Sequence, residues 1–258
     1  MKIAHISDIH ASLGSDFNEK MFEKAVKILN NIEKDIIFIS GDLTTEGLLS
    51  EYEIAQQKLD MMEGKKVIVP GNHDERNLGY KLFPEFFGEP TFTHDYKELT
   101  LLALASSEPD KDGGRLGRRR HKLIRESLRK SKKMIAIGFH HHLIPVPNSG
   151  RETNIIEDAG ETLDIILKNN VPLVLMGHRH VPYGVKIHNT LLVNAGTFSC
   201  NRTRAHFGHT FNIIDIEKDT VEVTVVNVEK EKQQKMIKFN HVEEVYINRY
   251  YDSELQIE

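Results

Sequence analysis

Between Met1 and Pro70 short apolar runs of strand length alternate with segments of helical periodicity, and this order restricts the fold more than any other feature of the chain. Residues 2–7 form the first run. In residues 17–34, Met21, Ala25, Ile28, Leu29 and Ile32 recur on one helical face, with Asp16 and Glu19 spaced to cap it. A second run at 35–40, a second helix at about 50–62 and a third run at 66–70 complete a βαβαβ order. Strands joined in this way pair in parallel and carry their helices on the faces of the sheet.

The pattern loosens through residues 71–90. β-like stretches follow at 91–96 and 99–106, then a loop rich in glycine and charge at 108–117. A helix at 118–132 with a basic outer side leads into a strand at 134–139, and a helix at 160–169 feeds a strand at 172–176. From Tyr183 onward strands succeed one another at 183–187, 191–195, 210–217, 220–229 and 235–240, which predicts a second sheet packed on the first. No repeat or linker divides the 258 residues, so one domain is expected over 1–258, with 240–258 as a polar tail. Tyr246, Tyr250 and Tyr251 of that tail have two destinations, the body of the same chain or a second subunit in a homodimer.

A formal net charge of −4 does not suggest a general electrostatic nucleic-acid binder. The adjacent Arg118, Arg119 and Arg120 do not reverse this, because three successive helical residues spread around the circumference and no aromatic side chains interleave. No apolar run reaches the length of about 20 residues that spans a bilayer, and no signal-like segment follows Met1, so a cytoplasmic protein is expected. The single cysteine, Cys200, excludes an internal disulfide and is read as structural. Against it stand 14 histidines, several in tight clusters, and imidazole suits transition metals or proton transfer.

Five groups of polar residues each follow a predicted strand. Asp8 and His10 follow the first, and residues two apart in extended chain point the same way, so both can reach one ion. Gly41-Asp42 follows the second, Gly71-Asn72-His73-Asp74 the third, His140, His141 and His142 the strand at 134–139, and Gly177-His178-Arg179-His180 the strand at 172–176. A turn aspartate, a loop asparagine or a satisfied core histidine accounts for any one group alone. Five groups at the strand edge where open α/β sheets place their ligands, all of nitrogen and oxygen donors, point together to a metal centre.

These groups, in this order, resemble the successive motifs of calcineurin-like metallophosphoesterases. The resemblance extends over residues 1–217, because Asn194-Ala195-Gly196-Thr197, the basic Arg202 and Arg204, and residues 211–215 are similar to the phosphodiesterase branch that includes bacterial class III cyclic-nucleotide phosphodiesterases. It implies an α/β fold, a four-layer α/β/β/α sandwich of two mixed sheets flanked by helices. It also implies two divalent transition-metal ions, drawn from Mn, Fe, Zn or Ni. Asp8, His10 and His180 would hold one ion, Asn72, the strand-end histidine and His178 the other, and Asp42 would bridge both. Relatives commonly read His-His-Pro at the strand end, whereas here Leu143 follows the histidines and the proline is delayed to Pro145. Related sequences with three histidines in a row favour His141 over His140 as the ligand, leaving His142 to support the ligands or face the substrate.

Two such ions sharing a hydroxide would hydrolyse a phosphate ester by in-line attack. His73, beside Asn72 and not itself a ligand, is then free to donate to the departing ester oxygen, with Asp74 either orienting it or tying the turn. Arg179, between two ligands, points away from them. The expected substrate is a small nucleotide-like or glycerol-type phosphodiester. The alternatives are a phosphomonoesterase or nucleotide pyrophosphatase on the same metal core, and a non-catalytic scaffold, against which the presence of every ligand type argues.

Overall fold

The computed structural model describes residues 1–150, 154–218 and 220–240, together with the backbone of Tyr246–Asn248. Its elements run β1 (Lys2–Ile6), α1 (Glu19–Asn30), β2 (Ile36–Ile39), α2 (Leu49–Asp60), β3 (Lys66–Ile68), α3 (Gly79–Phe87), β4 (Phe92–Tyr96) and β5 (Leu99–Ala103). They continue with α4 (Gly117–Lys130), β6 (Met134–Gly138), α5 (Ala159–Lys168), β7 (Leu173–Met176), β8 (Tyr183–Ile187), β9 (Thr190–Asn194), β10 (Thr210–Ile216), β11 (Thr220–Asn227), β12 (Lys232–Asn240) and β13 (Tyr246–Asn248).

The side chains of β1 and β2 divide by the two-residue period of a strand. Ile3, Ile36 and Phe38 enter a core shared with Leu101, Ala103, Ala136 and Leu175 of the other sheet, while Ala4, Ile6, Ile37 and Ile39 meet Phe22, Ala25, Leu29, Tyr52 and Leu59 of α1 and α2. On the far side Ile135, Ile137 and Val174 pack with Ile124 of α4 and Ile165 and Ile166 of α5. Helix, sheet, sheet, helix is therefore the order of layers. The two sheets approach closely at Gly138, where a Cβ would stand 2.2 Å from the Phe38 ring.

One sheet has the order β13-β12-β11-β10-β1-β2-β3, the other β4-β5-β6-β7-β9-β8. Both are mixed, since β1, β2 and β3 pair in parallel while β10 lies antiparallel to β1, and β5, β6, β7 and β9 pair in parallel between antiparallel β4 and β8. The strands after Tyr183 do not build the second sheet by themselves, as their succession suggested. β8 and β9 join the second sheet and β10 to β13 extend the first, because each hairpin closes an open edge of an existing sheet.

Two local expectations are corrected, and a part of the tail is placed on the body of the chain. The N-cap of α1 is Asn18, whose Oδ1 accepts from the Met21 N–H at 3.1 Å, and not Asp16. Residues 71–90 contain a helix, α3, despite Pro84 within it. Phe83, Phe86 and Phe87 pack there against Tyr52, and this aromatic burial outweighs the weak local signal. Part of the polar tail is a strand, since β13 pairs with β12 through Phe239 and Tyr246. The packing of Tyr250 and Tyr251 lies outside the described residues. No helix among the described residues is long and apolar enough to cross a membrane.

Candidate metal centre

The five polar groups leave the C-terminal ends of β1, β2 and β3 in one sheet and of β6 and β7 in the other, so both sheets deliver side chains to one edge of the sandwich. The turns that deliver them are unusual. Asp8, His10, Asp42, His178 and His180 all have left-handed backbone, with φ of 55°, 55°, 54°, 72° and 56°. Non-glycine residues seldom adopt this region, and such strain gathers where geometry is dictated by function. Gly71 is needed for a related reason, since a Cβ there would stand 2.1 Å from Asp42 Oδ1.

Asp42 occupies the middle. Its Oδ2 lies 3.5 Å from His10 Nε2 on one side and 3.4 Å from His140 Nε2 on the other, while Oδ1 accepts from the His73 N–H at 3.0 Å. On the first side His180 Nε2 lies 3.2 Å from Asp8 Oδ1, and Asp8 Oδ2 accepts from the His178 N–H at 3.1 Å. On the second, Asn72 Oδ1 lies 3.0 Å from His140 Nε2 and 3.0 Å from His178 Nδ1, and those two nitrogens are 3.1 Å apart. The structure thus brings together Asp8, His10, Asp42, Asn72, His178 and His180.

His141 lies against them, its ring 4.7 Å from that of His178, but turns its nitrogens to other partners. The His141 Nε2 faces the Asp112 carbonyl at 3.1 Å and must donate to it, which leaves Nδ1 to accept from Ser106 Oγ at 2.9 Å. Both nitrogens are used. His140 has the complementary arrangement: Nδ1 donates to the Ser40 carbonyl at 2.7 Å and Nε2 is aimed at Asn72, His178 and Asp42. A backbone carbonyl holding the far nitrogen is the usual support of a metal-binding imidazole. At the strand end His140 thus aims a nitrogen at Asn72 and His178, whereas both nitrogens of His141, the residue favoured from the sequence, meet Ser106 and Asp112. His142 is buried and stacks on His178 with ring centroids 5.6 Å apart.

The donor set fits divalent transition metals. His10 Nε2 is buried without a hydrogen-bond partner, a costly state for the protein alone that a cation would relieve. Imidazole nitrogens, two carboxylates and one amide oxygen form the mixed N/O set that such ions take. Asp42, His140 and His178 lie close enough for one ion, as do His10, Asp42 and His73. The thiol of Cys200, a residue read from the sequence as structural, lies within 4.8 Å of ring nitrogens of His10 and His180.

Protonation makes a test of this fit. Burial opposes charge on His140, but Asp42 outweighs it and raises His140 to about 9; burial likewise opposes charge on His180, and Asp8 outweighs it and raises that group to about 10. Burial works against ionisation of Asp42 too, yet His140 and then His73 hold it well below the usual carboxylate range. At neutral pH the metal-free centre therefore carries two protons where cations belong, and binding must expel them. Because these pKa values are raised, the stabilisation by the proton-carboxylate pairs is complete below pH about 6.5 and is lost as pH rises through about 9 and 10. Metal affinity is expected to run the other way, weakening by about tenfold per metal for each pH unit lowered below 8. Titration calorimetry at pH 7 in two buffers of different ionisation enthalpy should show about one proton released per metal. Heats independent of the buffer would contradict the assignment of His140 and His180.

His73 stands beside this cluster, its ring 4.5 Å from that of His10 in an edge-to-face arrangement. Its Nδ1 faces the Thr45 carbonyl at 2.6 Å and must be the donor. Asp74 is not its orienting partner, because that carboxylate accepts from the Thr44 N–H at 2.9 Å, Thr44 Oγ1 at 3.0 Å and the Gly71 N–H at 2.8 Å. Asp74 ties the loop after β2 to the loop after β3, and so acts on His73 only through the Thr44–Thr45 backbone. Burial, then the Asp42 charge, pushes it up to about 7. Arg179 turns away from the cluster to bond Ser149 Oγ and the Ser149 carbonyl. Arg120 folds back on Leu116 and Thr91, as a structural arginine.

Sequence reasoning missed the supports of the cluster. Ser40 and Thr45 act through backbone carbonyls, for which residue type gives no signal. Arg202, noted only as basic, places Nη2 3.1 Å from His10 Nδ1 and faces Asp16. Arg76 and Asp112 bond each other at 2.9 Å beside Asn72.

A family model described as calcineurin-like phosphoesterase matches residues 1–182 of the 258. The chain belongs to that family. It is a metallophosphoesterase, a hydrolase of phosphate esters. A probable cyclic nucleotide phosphodiesterase of Coxiella burnetii is 27% identical over 203 residues, covering 76% of this chain and 82% of its own length. A glycerophosphodiester phosphodiesterase of Enterobacter lignolyticus is 26% identical over 200 residues, covering 70% and 71%. Among solved structures, a purple acid phosphatase from yellow lupin seeds superposes with a TM-score of 0.69 at 15% identity, over the whole of this chain and 55% of that longer one. That likeness supports the two-sheet fold alone.

Proposed function

We propose that this metallophosphoesterase is a binuclear phosphodiesterase acting on a small nucleotide-like or glycerol-type diester. The observation that carries the binuclear reading is Asp42 Oδ2, set 3.5 Å and 3.4 Å from imidazole nitrogens of two separate ligand groups. Asp8, His10 and His180 would hold one ion and Asn72, His140 and His178 the other, with Asp42 between them. Divalent ions bound there supply Lewis-acid polarisation of the phosphoryl group and a water acidic enough to attack near neutral pH.

The protein's own residues do the rest. Two carboxylates against two divalent cations leave the site net positive, so an anionic ester is drawn in without a dedicated lysine or arginine clamp. The imidazoles and the amide are neutral ligands and preserve that excess. His73, pinned through Nδ1, holds its ring at the edge of the cluster, where a proton on Nε2 can pass to the departing ester oxygen. Asp74 and Thr44 keep the Thr45 carbonyl in place for this.

The names of the two curated relatives favour a diester over the alternatives, a phosphomonoesterase or a nucleotide pyrophosphatase. The test is metal analysis of protein purified without chelator, followed by kcat/KM on matched aryl diesters and monoesters, a dinucleotide pyrophosphate, a cyclic nucleotide and a glycerophosphodiester, with Mn²⁺, Zn²⁺, Ni²⁺ or Fe²⁺ added. Two metals per chain with diesters preferred is the expected result. A preference for monoesters or pyrophosphates would move the reading to that alternative, and no metal with no turnover would make the chain a scaffold.

A further inference from the structure

Asn72 is the one neutral, non-imidazole group in the cluster, and only one end of its amide is useful there. Its Oδ1 must face His140 Nε2 and His178 Nδ1, because an N–H₂ in that position would turn donors toward a cation. The reverse orientation is nearly isosteric, so something outside the cluster has to choose between the two. Asp112 is placed to do so: its Oδ1 accepts from Asn72 Nδ2 at 3.4 Å. The same Oδ1 accepts from Arg76 Nη2 at 2.9 Å, while Arg76 Nη1 bonds Glu46 Oε1 at 3.0 Å and the Thr45 carbonyl at 3.4 Å. That carbonyl is the one holding His73. The Asp112 backbone carbonyl takes the His141 Nε2–H. Asp110, two residues earlier, adds bonds to the Asn77 N–H and the Glu75 carbonyl. The loop between β5 and α4 is thus strapped across the loop after β3.

We propose that Asp112, braced by Arg76, is a positioning residue that fixes the amide of Asn72 with its oxygen toward the second metal position. This rests on the binuclear reading above. Asp112 reaches the cluster through the amide of Asn72, and its side chain is 66% exposed, so it contributes little to folding. Its effect is that of an outer partner on a ligand, whose loss commonly weakens metal binding by about 10- to 100-fold. The Arg76 guanidinium, holding Asp112 and Thr45 together, links the amide ligand to the imidazole proposed to serve the leaving group.

The experiment compares Asp112→Ala and Asp112→Asn with the wild type by calorimetric titration of Mn²⁺ into metal-free protein, with stoichiometry from elemental analysis. In the wild type two sites are expected. Asp112→Ala should weaken one of them by about 10- to 100-fold and leave the other unchanged. Asp112→Asn keeps an oxygen that can accept from Asn72 Nδ2 and should restore most of that affinity, a rescue that a merely structural role would not produce. Thermal unfolding of the metal-free variants should match the wild type. Two sites of wild-type affinity in Asp112→Ala would overturn the proposal while leaving the binuclear centre intact, as would an Asp112→Asn no better than Asp112→Ala. A wild type that binds no Mn²⁺, Zn²⁺ or Co²⁺ would remove the centre itself and this inference with it.

Discussion

Replacing His140 by alanine is expected to cost the protein one of its two metals and to lower kcat/KM by more than about 100-fold, whereas His141→Ala keeps both metals when they are supplied in excess. The figure follows from a comparison of positions. Loss of a group that only supports a ligand weakens binding by about 10- to 100-fold, and loss of a ligand must exceed that. His140 offers Nε2 to the cluster with Nδ1 committed to Ser40, while His141 has both nitrogens committed, to Ser106 and Asp112. His141 is therefore expected to act as a support. Removing its ring frees the Asp112 carbonyl and Ser106 without emptying a coordination position. His140→Ala also leaves the buried Asp42 without its largest counter-charge, so the variant is checked for folding by circular dichroism before its metals are counted. Elemental analysis after gel filtration decides the matter. A His140→Ala protein with two metals and a His141→Ala protein with one would return the ligand to His141.

The choice between these neighbours shows where the sequence stops informing. Residue type and strand-end position place the three histidines at the right edge, but a one-residue change of register in the loop after β6 turns a different ring inward. What decides the register is the Ser40 carbonyl on one side and Ser106 Oγ on the other. One is a backbone group and the other lies in the loop after β5, so neither can be read from the spacing of residues 140–142. Asp74 shows the same limit. It sits next to His73 in sequence, yet its carboxylate faces Thr44 and Gly71, because a turn brings residue 71 back under residue 74.

The fold was legible wherever periodicity was strong. β1, α1, β2, α2 and β3 stand within a few residues of their expected bounds, because alternating burial on two faces writes itself into the apolar pattern. Helix α3 was not legible, since its Gly79 and Pro84 argue against a helix and its stability comes from Tyr52, a residue 27 positions before Gly79. The division of the late strands between two sheets was hidden for a similar reason. Alternation marks a strand, while its partner depends on which sheet edge lies open when the chain arrives.

Replacing His73 by alanine should leave both metals in place and lower turnover by an amount that depends on the leaving group. The ring stands beside His10, and its Nδ1 is held by the Thr45 carbonyl, so its working nitrogen is Nε2. General-acid help at that nitrogen is worth roughly 10²- to 10⁴-fold. A nitrophenolate leaves readily as an anion and needs little of this help, whereas a ribose or glycerol alkoxide is strongly basic and needs most of it. The loss in kcat/KM for His73→Ala is therefore expected to be at least about tenfold greater on an alkyl diester than on an aryl diester. If His73 only positions the phosphoryl group by a hydrogen bond, it stabilises a transition state common to both substrates, and the fractional losses should match. If instead it completes the His10 and Asp42 group as a ligand, metal content will fall with activity on both substrates. Measuring kcat/KM for wild type and variant on one aryl and one alkyl diester, with metals counted in the same samples, separates the three roles. Equal losses on the two diesters with metals retained would leave His73 as a positioning donor and require the proton for the leaving oxygen to come from elsewhere.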